Sequence, residues 1–229
     1  MAVQGELRLS TGRGGARAGA GRKKTGRCSD SPHRARPVHA KRHPVHVVLR
    51  AGKDVPRLRK RYLYTAIHAA LRAAGAKAAF RVVHISVQGN HLHFLVEADD
   101  RDALSRGMQG LAISLARRIN RRCRRRGKVF SLRFHATPIT SPQQTRNALS
   151  YVLNNWRRHG EAERHPLARS TAIDPYSSGH AFTDWHEGAV VAIVDYTPLP
   201  VARPRTWLLR EGWRRARRAI SCWETPART

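Results

Sequence analysis

The sequence is short of acidic residues, cysteines and long apolar runs, and each shortage excludes a class of protein. Only 15 Asp and Glu stand against 44 Lys and Arg, which gives a formal net charge of +29 over 229 residues. Such an excess requires a polyanionic partner, and nucleic acid is the first candidate. A chain of this length forms one domain with terminal arms, or two small domains.

The three cysteines, Cys28, Cys123 and Cys222, are odd in number and far apart. This spacing argues against a disulfide framework and against a CxxC zinc site, so reduced thiols are expected. No run approaches the roughly 18 to 20 apolar residues of a membrane span. The N-terminus MAVQGELRLSTGRGG also lacks the apolar centre of a secretory signal. We therefore expect a cytoplasmic protein with no membrane partner.

Residues 1–43 hold eleven Lys or Arg, two acids and seven glycines, with almost no large apolar side chains. Such a segment buries too little surface to offset its ordering entropy, which predicts a disordered basic arm. Arg22, Lys23 and Lys24 in this arm are candidates for contacts with nucleic-acid phosphates. A solubilising tail with no fixed site is the alternative.

Residues 44–160 carry alternating strand-like and helix-like patterns, bounded by capping and turn residues. The strongest signal is a hairpin in which AFRVVHISV and HLHFLVEA flank a tight turn at QGN. The other predicted elements are a strand at VHVVLR, a helix from Asp54-Val55-Pro56 to about Ala74, a helix from Asp99 or Asp100 to near Gly127, a strand at VFSLRFHATPI and a helix from Ser141 to about His159.

This order of elements is that of an α+β, ferredoxin-like (split βαβ) antiparallel sheet with helices on one face. The other face is then free for a ligand or for further cover. Residues 161–229 are broken by prolines and are predicted to form a basic C-terminal extension. Its tryptophans, Trp185, Trp207, Trp213 and Trp223, either stack on bases or anchor the segment to the core.

Two histidines in one predicted strand are the first candidates for chemistry. Side chains alternate along a strand, so His91 and His93 share one face and Leu92 points to the other. Imidazole nitrogens bind several divalent metals, and a pair from one strand needs at least one further ligand. Two half-buried histidines with ordinary hydrogen bonds are the alternative interpretation.

The predicted third helix supplies two further candidates, Tyr151 and Asn155. They are four residues apart, so their side chains stack one helical turn from each other. A phenol oxygen is a nucleophile and an amide oxygen is a metal ligand, so one helix could deliver both to a single place. A packing tyrosine and a surface amide are the alternative.

Taken together, HLH in a strand and YVLNN in a helix about sixty residues later resemble the HUH single-tyrosine transposases. Within them, the chain is similar to the REP-associated tyrosine transposase group, which is related to the insertion sequence 200-like transposases. HUH stands for His, hydrophobic residue, His, and Leu92 fills the middle place. The resemblance covers about residues 44–160, through VHVVLR, SVQGNHLHFLVEA, the Arg-rich helix and YVLNNWRRHG.

The resemblance implies a DNA transposase with a particular chemistry. In that family two histidines bind Mg²⁺ or Mn²⁺, and a polar residue one turn after the tyrosine completes the metal site. The tyrosine attacks a DNA phosphodiester to give a 5′-phosphotyrosine and a free 3′-OH. The matching positions are His91, His93, Tyr151 and Asn155, with Gln88 as a further candidate ligand. The implied partner is DNA, single-stranded or in a hairpin, and a homodimer is left open.

Clustered arginines beside these residues are candidates for binding the DNA backbone. They are Arg121, Arg122, Arg124, Arg125, Arg126 and Lys128 at the end of the second helix, and Arg157 and Arg158 after the tyrosine. Two other interpretations remain: a non-catalytic single-stranded nucleic-acid binding module on the same fold, and a structural protein that condenses nucleic acid. The binding module needs aromatic residues on the open sheet face. The condensing protein does not explain why residues 44–160 carry the pattern of an ordered domain.

Overall fold

The computed structural model describes residues 39–75, 78–161, 173–188 and 197–227. The predicted basic arm, with Arg22, Lys23 and Lys24, lies outside the described residues except for residues 39–43. Among the described helices, none has both the length and the apolar character that crossing a membrane requires.

Four strands and three long helices follow one another in the predicted order. The strands form one antiparallel sheet in the order β2-β3-β1-β4, which confirms the ferredoxin-like α+β class. The elements are β1 (Val45–Arg50), α1 (Arg61–Ala74), β2 (Phe80–Val87), β3 (His91–Ala98), α2 (Arg101–Arg122), β4 (His135–Pro138) and α3 (Pro142–Arg158). A one-turn helix, α4 (Trp207–Arg210), lies in the C-terminal extension.

The first hydrophobic core lies between one face of the sheet and helices α1 and α2. The sheet contributes Leu92, Phe94 and Val96 of β3 to it, together with alternate residues of β1. The helices contribute the predicted apolar stripes, which recur every three or four residues and are buried. These stripe residues are Leu63, Ile67 and Leu71 of α1 and Leu104, Met108, Leu111, Leu115 and Ile119 of α2.

The opposite face of the sheet is covered in part by α3, so the helices do not all lie on one side. Val83 of β2 and Leu95 of β3 form a second core with Leu149 and Val152 of α3. Described residues of the C-terminal extension complete this core, among them Trp185, Trp213, Ile220 and Cys222. The face that the sequence left open for a ligand or further cover therefore has cover from both α3 and the extension.

Three element boundaries differ from those predicted. Helix α1 begins at Arg61 and not near Pro56, because a hydrogen bond and an ion pair to distant residues hold the preceding loop in a non-helical conformation. In that loop the Leu58 amide donates to the Gly89 carbonyl at 2.8 Å, and the buried Arg59 guanidinium pairs with Asp174 at 2.8 Å. The end of α1 at Gly75, whose φ is +56°, agrees with the prediction.

Helix α2 ends at Arg122, five residues before the predicted stop at Gly127. Arg124 adopts a positive φ of 49°, and the Asn120 side chain folds the chain back by accepting from Arg125 and donating to the Gly127 carbonyl. Strand β4 is also shorter than the predicted VFSLRFHATPI. Only His135–Pro138 pairs with β1, since the chain bends after Phe130 and keeps one isolated bridge to Ala51.

The residues predicted to begin the second and third helices cap those helices in the structure. Asp100 accepts a hydrogen bond from the Ala103 amide at 2.7 Å at the start of α2. Ser141 accepts from the Gln144 amide at 3.2 Å at the start of α3, where Pro142 occupies the first turn. The cap of α3 matters for function, because it fixes where the helix starts and hence which residues face the sheet.

A buried carboxylate ties the C-terminal extension to the sheet. Glu97 at the end of β3 is 3% exposed and pairs with Arg81 at 3.2 Å. It also accepts hydrogen bonds from the backbone amides of Arg205 and Thr206 and from the Thr206 hydroxyl, at 2.8 to 3.0 Å. Breaking such a buried, hydrogen-bonded set costs several times more than losing a surface ion pair.

We expect Gly107→Ala to destabilise the protein, because α2 approaches β2 closely at this position. An added Cβ would lie 2.2 Å from Cγ of the buried Phe80 ring, so the ring or the helix must move. Overpacking of this kind costs about 1–3 kcal/mol. Thermal unfolding followed by circular dichroism should show a lower midpoint.

The matched control is Gly110→Ala, three residues further along α2. A Cβ there meets nothing within 4 Å, so the change should stabilise the helix by about 0.5–1 kcal/mol. Equal melting temperatures for the two variants would contradict this packing of α2 on Phe80.

Candidate active site

The sequence-predicted histidines and tyrosine meet on the second face of the sheet, beside α3. The ring centroids of His91 and His93 lie 4.6 Å apart at the start of β3. The His93 ring meets the Tyr151 ring edge-on, with centroids 5.2 Å apart and an interplanar angle of 88°. The cross-strand register and the packing of α3 on β3 bring together residues that are about sixty positions apart in sequence.

In His91 and in His93, the ring nitrogen Nδ1 takes part in a hydrogen bond and Nε2 does not. His91 Nδ1 lies 2.7 Å from Asn90 Oδ1, to which it donates. His93 Nδ1 lies 3.1 Å from Nε2 of His46, a residue of β1. His93 Nε2 is buried and has no hydrogen-bond partner. Both histidines therefore keep Nε2 for a ligand.

Two buried amides on this side of the sheet also have unpartnered atoms. Asn155 is fully buried, and neither Oδ1 nor Nδ2 has a hydrogen-bond partner. Gln88 is 1% exposed and donates from Nε2 to Ser86 Oγ at 2.7 Å, while its Oε1 has no partner. Ser86 lies directly opposite His93 in the β2–β3 register, so this pair shares the face of the histidines.

Unpartnered buried polar atoms are uncommon and call for an explanation. Here the unpartnered atoms include one imidazole nitrogen and two amide oxygens, a mixed donor set that fits a divalent metal ion. No group of three His, Cys, Asp or Glu side chains in the described part of the chain is suited to a metal. The side chains that could hold a metal at this place are those of His91 and His93, with the amides of Asn155 and Gln88 as further candidates.

Burial keeps the imidazoles of the site neutral. It lowers the pKa of His91 to about 4, with smaller contributions from the charges of His159 and Arg50. The pKa of His93 falls well below its ordinary value, again through burial first and then through His46 and His91. A neutral imidazole carries the lone pair that a metal or a proton donor requires.

Two histidines of the site were missed by sequence reasoning. His46 stacks on His93, with ring centroids 5.2 Å apart, and His159 lies 5.4 Å from His91. A signal for His46 was present, because alternation in VHVVLR places it on the face opposite Val45 and Val47. His159 gives a weaker signal, two turns after Tyr151 at the end of α3.

Within the described residues, the predicted DNA-binding cations form two groups. Those at the end of α2 are mostly exposed, although Arg122 donates to the Tyr62 carbonyl and Arg125 to Asn120 and the Lys128 carbonyl. The pair after the tyrosine, Arg157 and Arg158, is half-buried.

Both arginines after the tyrosine hold the C-terminal extension. Arg157 Nε donates to the Cys222 carbonyl at 2.8 Å, and its guanidinium lies 4.7 Å from the centroid of the exposed Trp223. Arg158 donates to the Pro226 carbonyl at 2.9 Å. These two side chains therefore have a structural role, which the sequence did not indicate.

Comparisons with known proteins agree with the resemblance in the sequence. The family model described as "Transposase IS200 like" matches residues 39–155, just over half of the 229 residues. No curated protein sequence matches the chain significantly. Eight chains of solved structures do match. One of them, described as "Structure of the REP associates tyrosine transposase bound to a REP hairpin", is 14% identical and has a TM-score of 0.53.

That match covers 76% of this chain and 100% of the other chain. At this level of identity the structural likeness supports the fold, while the family model spans β1 to the last turn of α3 and includes both histidines and the tyrosine. The chain belongs to the IS200-like transposase family, the HUH single-tyrosine enzymes, and its role is that of a transposase.

Proposed function

We propose that this transposase cuts and rejoins single-stranded DNA through a covalent 5′-phosphotyrosine on Tyr151. The proposed ligands of a divalent metal, Mg²⁺ or Mn²⁺, are His91, His93 and Asn155, with Gln88 as a further candidate. The observation that carries the proposal is the edge contact between the rings of His93 and Tyr151 beside buried, unpartnered donor atoms. This contact supports a reaction in which the proposed nucleophile works next to the proposed metal site.

Tyr151 forms the new bond in the proposed reaction. Its phenolic oxygen attacks the phosphorus of a phosphodiester, the bond from phosphorus to the 3′-oxygen breaks, and the phenol proton is given up. The leaving strand takes up a proton and ends in a free 3′-OH. Because the phosphotyrosine keeps the energy of the broken bond, a different 3′-OH can later displace the tyrosine and join strands without ATP.

A bound divalent ion would polarise the phosphate and stabilise the charge that develops on the leaving oxygen. A neutral phenol is a weak nucleophile, so the reaction gains from such help. The contribution of the chain's own residues is to position the proposed nucleophile. The capped start of α3 and its packing on Leu95 hold Tyr151 beside His93.

The proposed substrate is DNA, single-stranded or in a hairpin. The net charge of +29 and the exposed arginines at the end of α2 favour a phosphate backbone as partner. The structurally similar REP-associated transposase is described as bound to a REP hairpin, which supports the same class of ligand here. We assign the chemistry to residues 44–160 and additional affinity to the basic arm, residues 1–43, and the C-terminal extension, residues 161–229.

The non-catalytic binding module is less well supported. RNA-recognition domains of this strand order stack bases on aromatic residues of the open sheet face. In this chain Phe80 and Phe94 are the Phe, Tyr or Trp residues of the four described strands, and both lie in the first core. The opposite face is partly covered by α3. A condensing protein is also less well supported, since it would not need a donor set beside a tyrosine.

Tyr151→Phe should abolish cleavage, because it keeps the ring contact with His93 and removes only the attacking oxygen. Wild-type protein incubated with labelled single-stranded DNA and Mg²⁺ or Mn²⁺ should form an adduct that survives denaturing electrophoresis. The variant should form none while it still binds the DNA.

The matched control is Tyr62→Phe, on α1 and in contact with the first core. It removes a phenol oxygen from the other side of the sheet and should leave adduct formation unchanged. A full yield of adduct from the Tyr151→Phe variant would show that another residue is the nucleophile.

Removal of the proposed metal ligands should stop DNA cleavage and leave most of the affinity for DNA. His91→Ala and His93→Ala should each lower the single-turnover cleavage rate by at least about a hundredfold, which corresponds to roughly 2.7 kcal/mol of transition-state stabilisation. Binding of DNA should change little, because arginines elsewhere supply the affinity.

Chelation with EDTA should mimic both histidine variants, and added Mn²⁺ should restore the wild-type rate. His68→Ala, on α1, is the matched control and should cleave normally. Full cleavage by metal-free wild-type protein would overturn the proposed metal site.

Deletion of residues 1–38 should weaken DNA binding and spare the chemistry. It retains His39 and Lys41, which contact the Ala98 carbonyl and Asp99. On single strands, log affinity falls with log salt by about 0.7 per neutralised phosphate, so the slope should flatten by a few units. Binding is measured across a salt series, with cleavage at saturating protein alongside. An unchanged slope would mean that the arm contributes no phosphate contacts.

A further inference from the structure

His46 of β1 contacts both the proposed nucleophile and a proposed metal ligand. Its ring stacks on His93 with an interplanar angle of 22° and a centroid distance of 5.2 Å. It also meets Tyr151 edge-on, with centroids 5.8 Å apart. The neighbouring strand pairing explains the contact, because His46 lies opposite Leu95 and thus diagonal to His93 in the β1–β3 register.

The hydrogen bond between the two rings engages Nδ1 of His93 and leaves its Nε2 without a partner. His46 Nε2 and His93 Nδ1 are 3.1 Å apart, so one of them carries the shared proton. A His93 that binds metal through Nε2 needs its lone pair there, and a neutral imidazole then carries its proton on Nδ1. His93 Nδ1–H would then donate to His46 Nε2, which places the proton of a neutral His46 on its own Nδ1.

We propose that His46 is a positioning residue that fixes the orientation and the tautomer of His93 for metal binding through Nε2. The inference rests on the proposed function, because it takes His93 as a metal ligand. Its basis in the structure is the division of roles between the two His93 nitrogens. Nδ1 is occupied by His46, whereas Nε2 is buried and unpartnered.

Outer partners of this kind matter in metal sites. A histidine ligand usually donates its second ring N–H to a neighbouring acceptor, and loss of that acceptor typically lowers metal affinity by about 10–100-fold. The acceptor is commonly a carboxylate or a carbonyl. In this chain an imidazole takes that place, and it comes from a different strand than the ligand. The β1–β3 pairing thereby becomes part of the site.

Two variants separate the hydrogen bond from the ring packing. His46→Phe keeps a ring that can stack on His93 and removes the acceptor nitrogen. His46→Gln removes the ring and places an amide oxygen near the position of Nε2, where it can accept from His93 Nδ1–H. The measurement is the affinity of the metal-free protein for Mn²⁺, followed by the electron paramagnetic resonance signal of the free ion.

We expect His46→Phe to bind Mn²⁺ about 10–100-fold more weakly than the wild type, and His46→Gln to recover most of that loss. His135→Ala is the matched control, since His135 is an exposed histidine on the same face in the adjacent strand β4. It should bind Mn²⁺ like the wild type. Thermal unfolding of each variant identifies any loss that comes from misfolding.

A second readout is independent of the metal and of activity. In ¹⁵N-histidine spectra of the metal-free protein, His93 should be the Nδ1–H tautomer in the wild type and in His46→Gln. His46→Phe should show a mixture or the other tautomer. If the Phe variant keeps both the wild-type Mn²⁺ affinity and the wild-type tautomer, the positioning role is wrong. If the wild type itself binds no Mn²⁺ at a saturable site, the proposed metal site fails instead.

Discussion

The two-residue repeat of β3 is the constraint on which both the core and the site depend. Leu92, Phe94 and Val96 enter the first core, and the intervening residues, beginning with His91 and His93, face the other side. A shift of one residue in the register would exchange the two sets and bury the histidines among α1 and α2. The pairing of β3 with both β1 and β2 prevents such a shift, because each neighbour has its own apolar face to bury.

The unpartnered polar atoms of the site destabilise the folded state, and interactions elsewhere in the fold offset this cost. Each buried polar group without a partner costs about 1–3 kcal/mol, and His93, Asn155 and Gln88 all have such atoms. The two cores and the buried pairs of Glu97 and Asp174 stabilise the surrounding frame. A ligand that satisfies the unpartnered atoms would therefore bind to a frame that is already in place, with little reorganisation.

Periodicity in the sequence was sufficient for the first three strands, the helix stripes, the helix caps and the shared face of His91 and His93, because these features are local. The start of α1 was not predictable, since Arg59 is held by Asp174 more than a hundred residues away. The attachment of the extension through Glu97 is equally distant. His46 was missed for a related reason: alternation in VHVVLR places it on the second face of the sheet, but its contact with His93 appears only once β1 lies beside β3.

Identification of the residue that becomes bonded to DNA is the most direct test of the proposed mechanism. Wild-type protein is incubated with single-stranded DNA and Mn²⁺, the adduct is digested with trypsin and nuclease, and the peptides are sequenced by mass spectrometry. Tryptic cleavage after Arg146 and Arg157 releases a peptide whose single tyrosine is Tyr151. We predict a nucleotide joined to that tyrosine through its 5′-phosphate. A nucleotide on any other residue, or cleaved DNA with no protein adduct, would contradict the proposed mechanism.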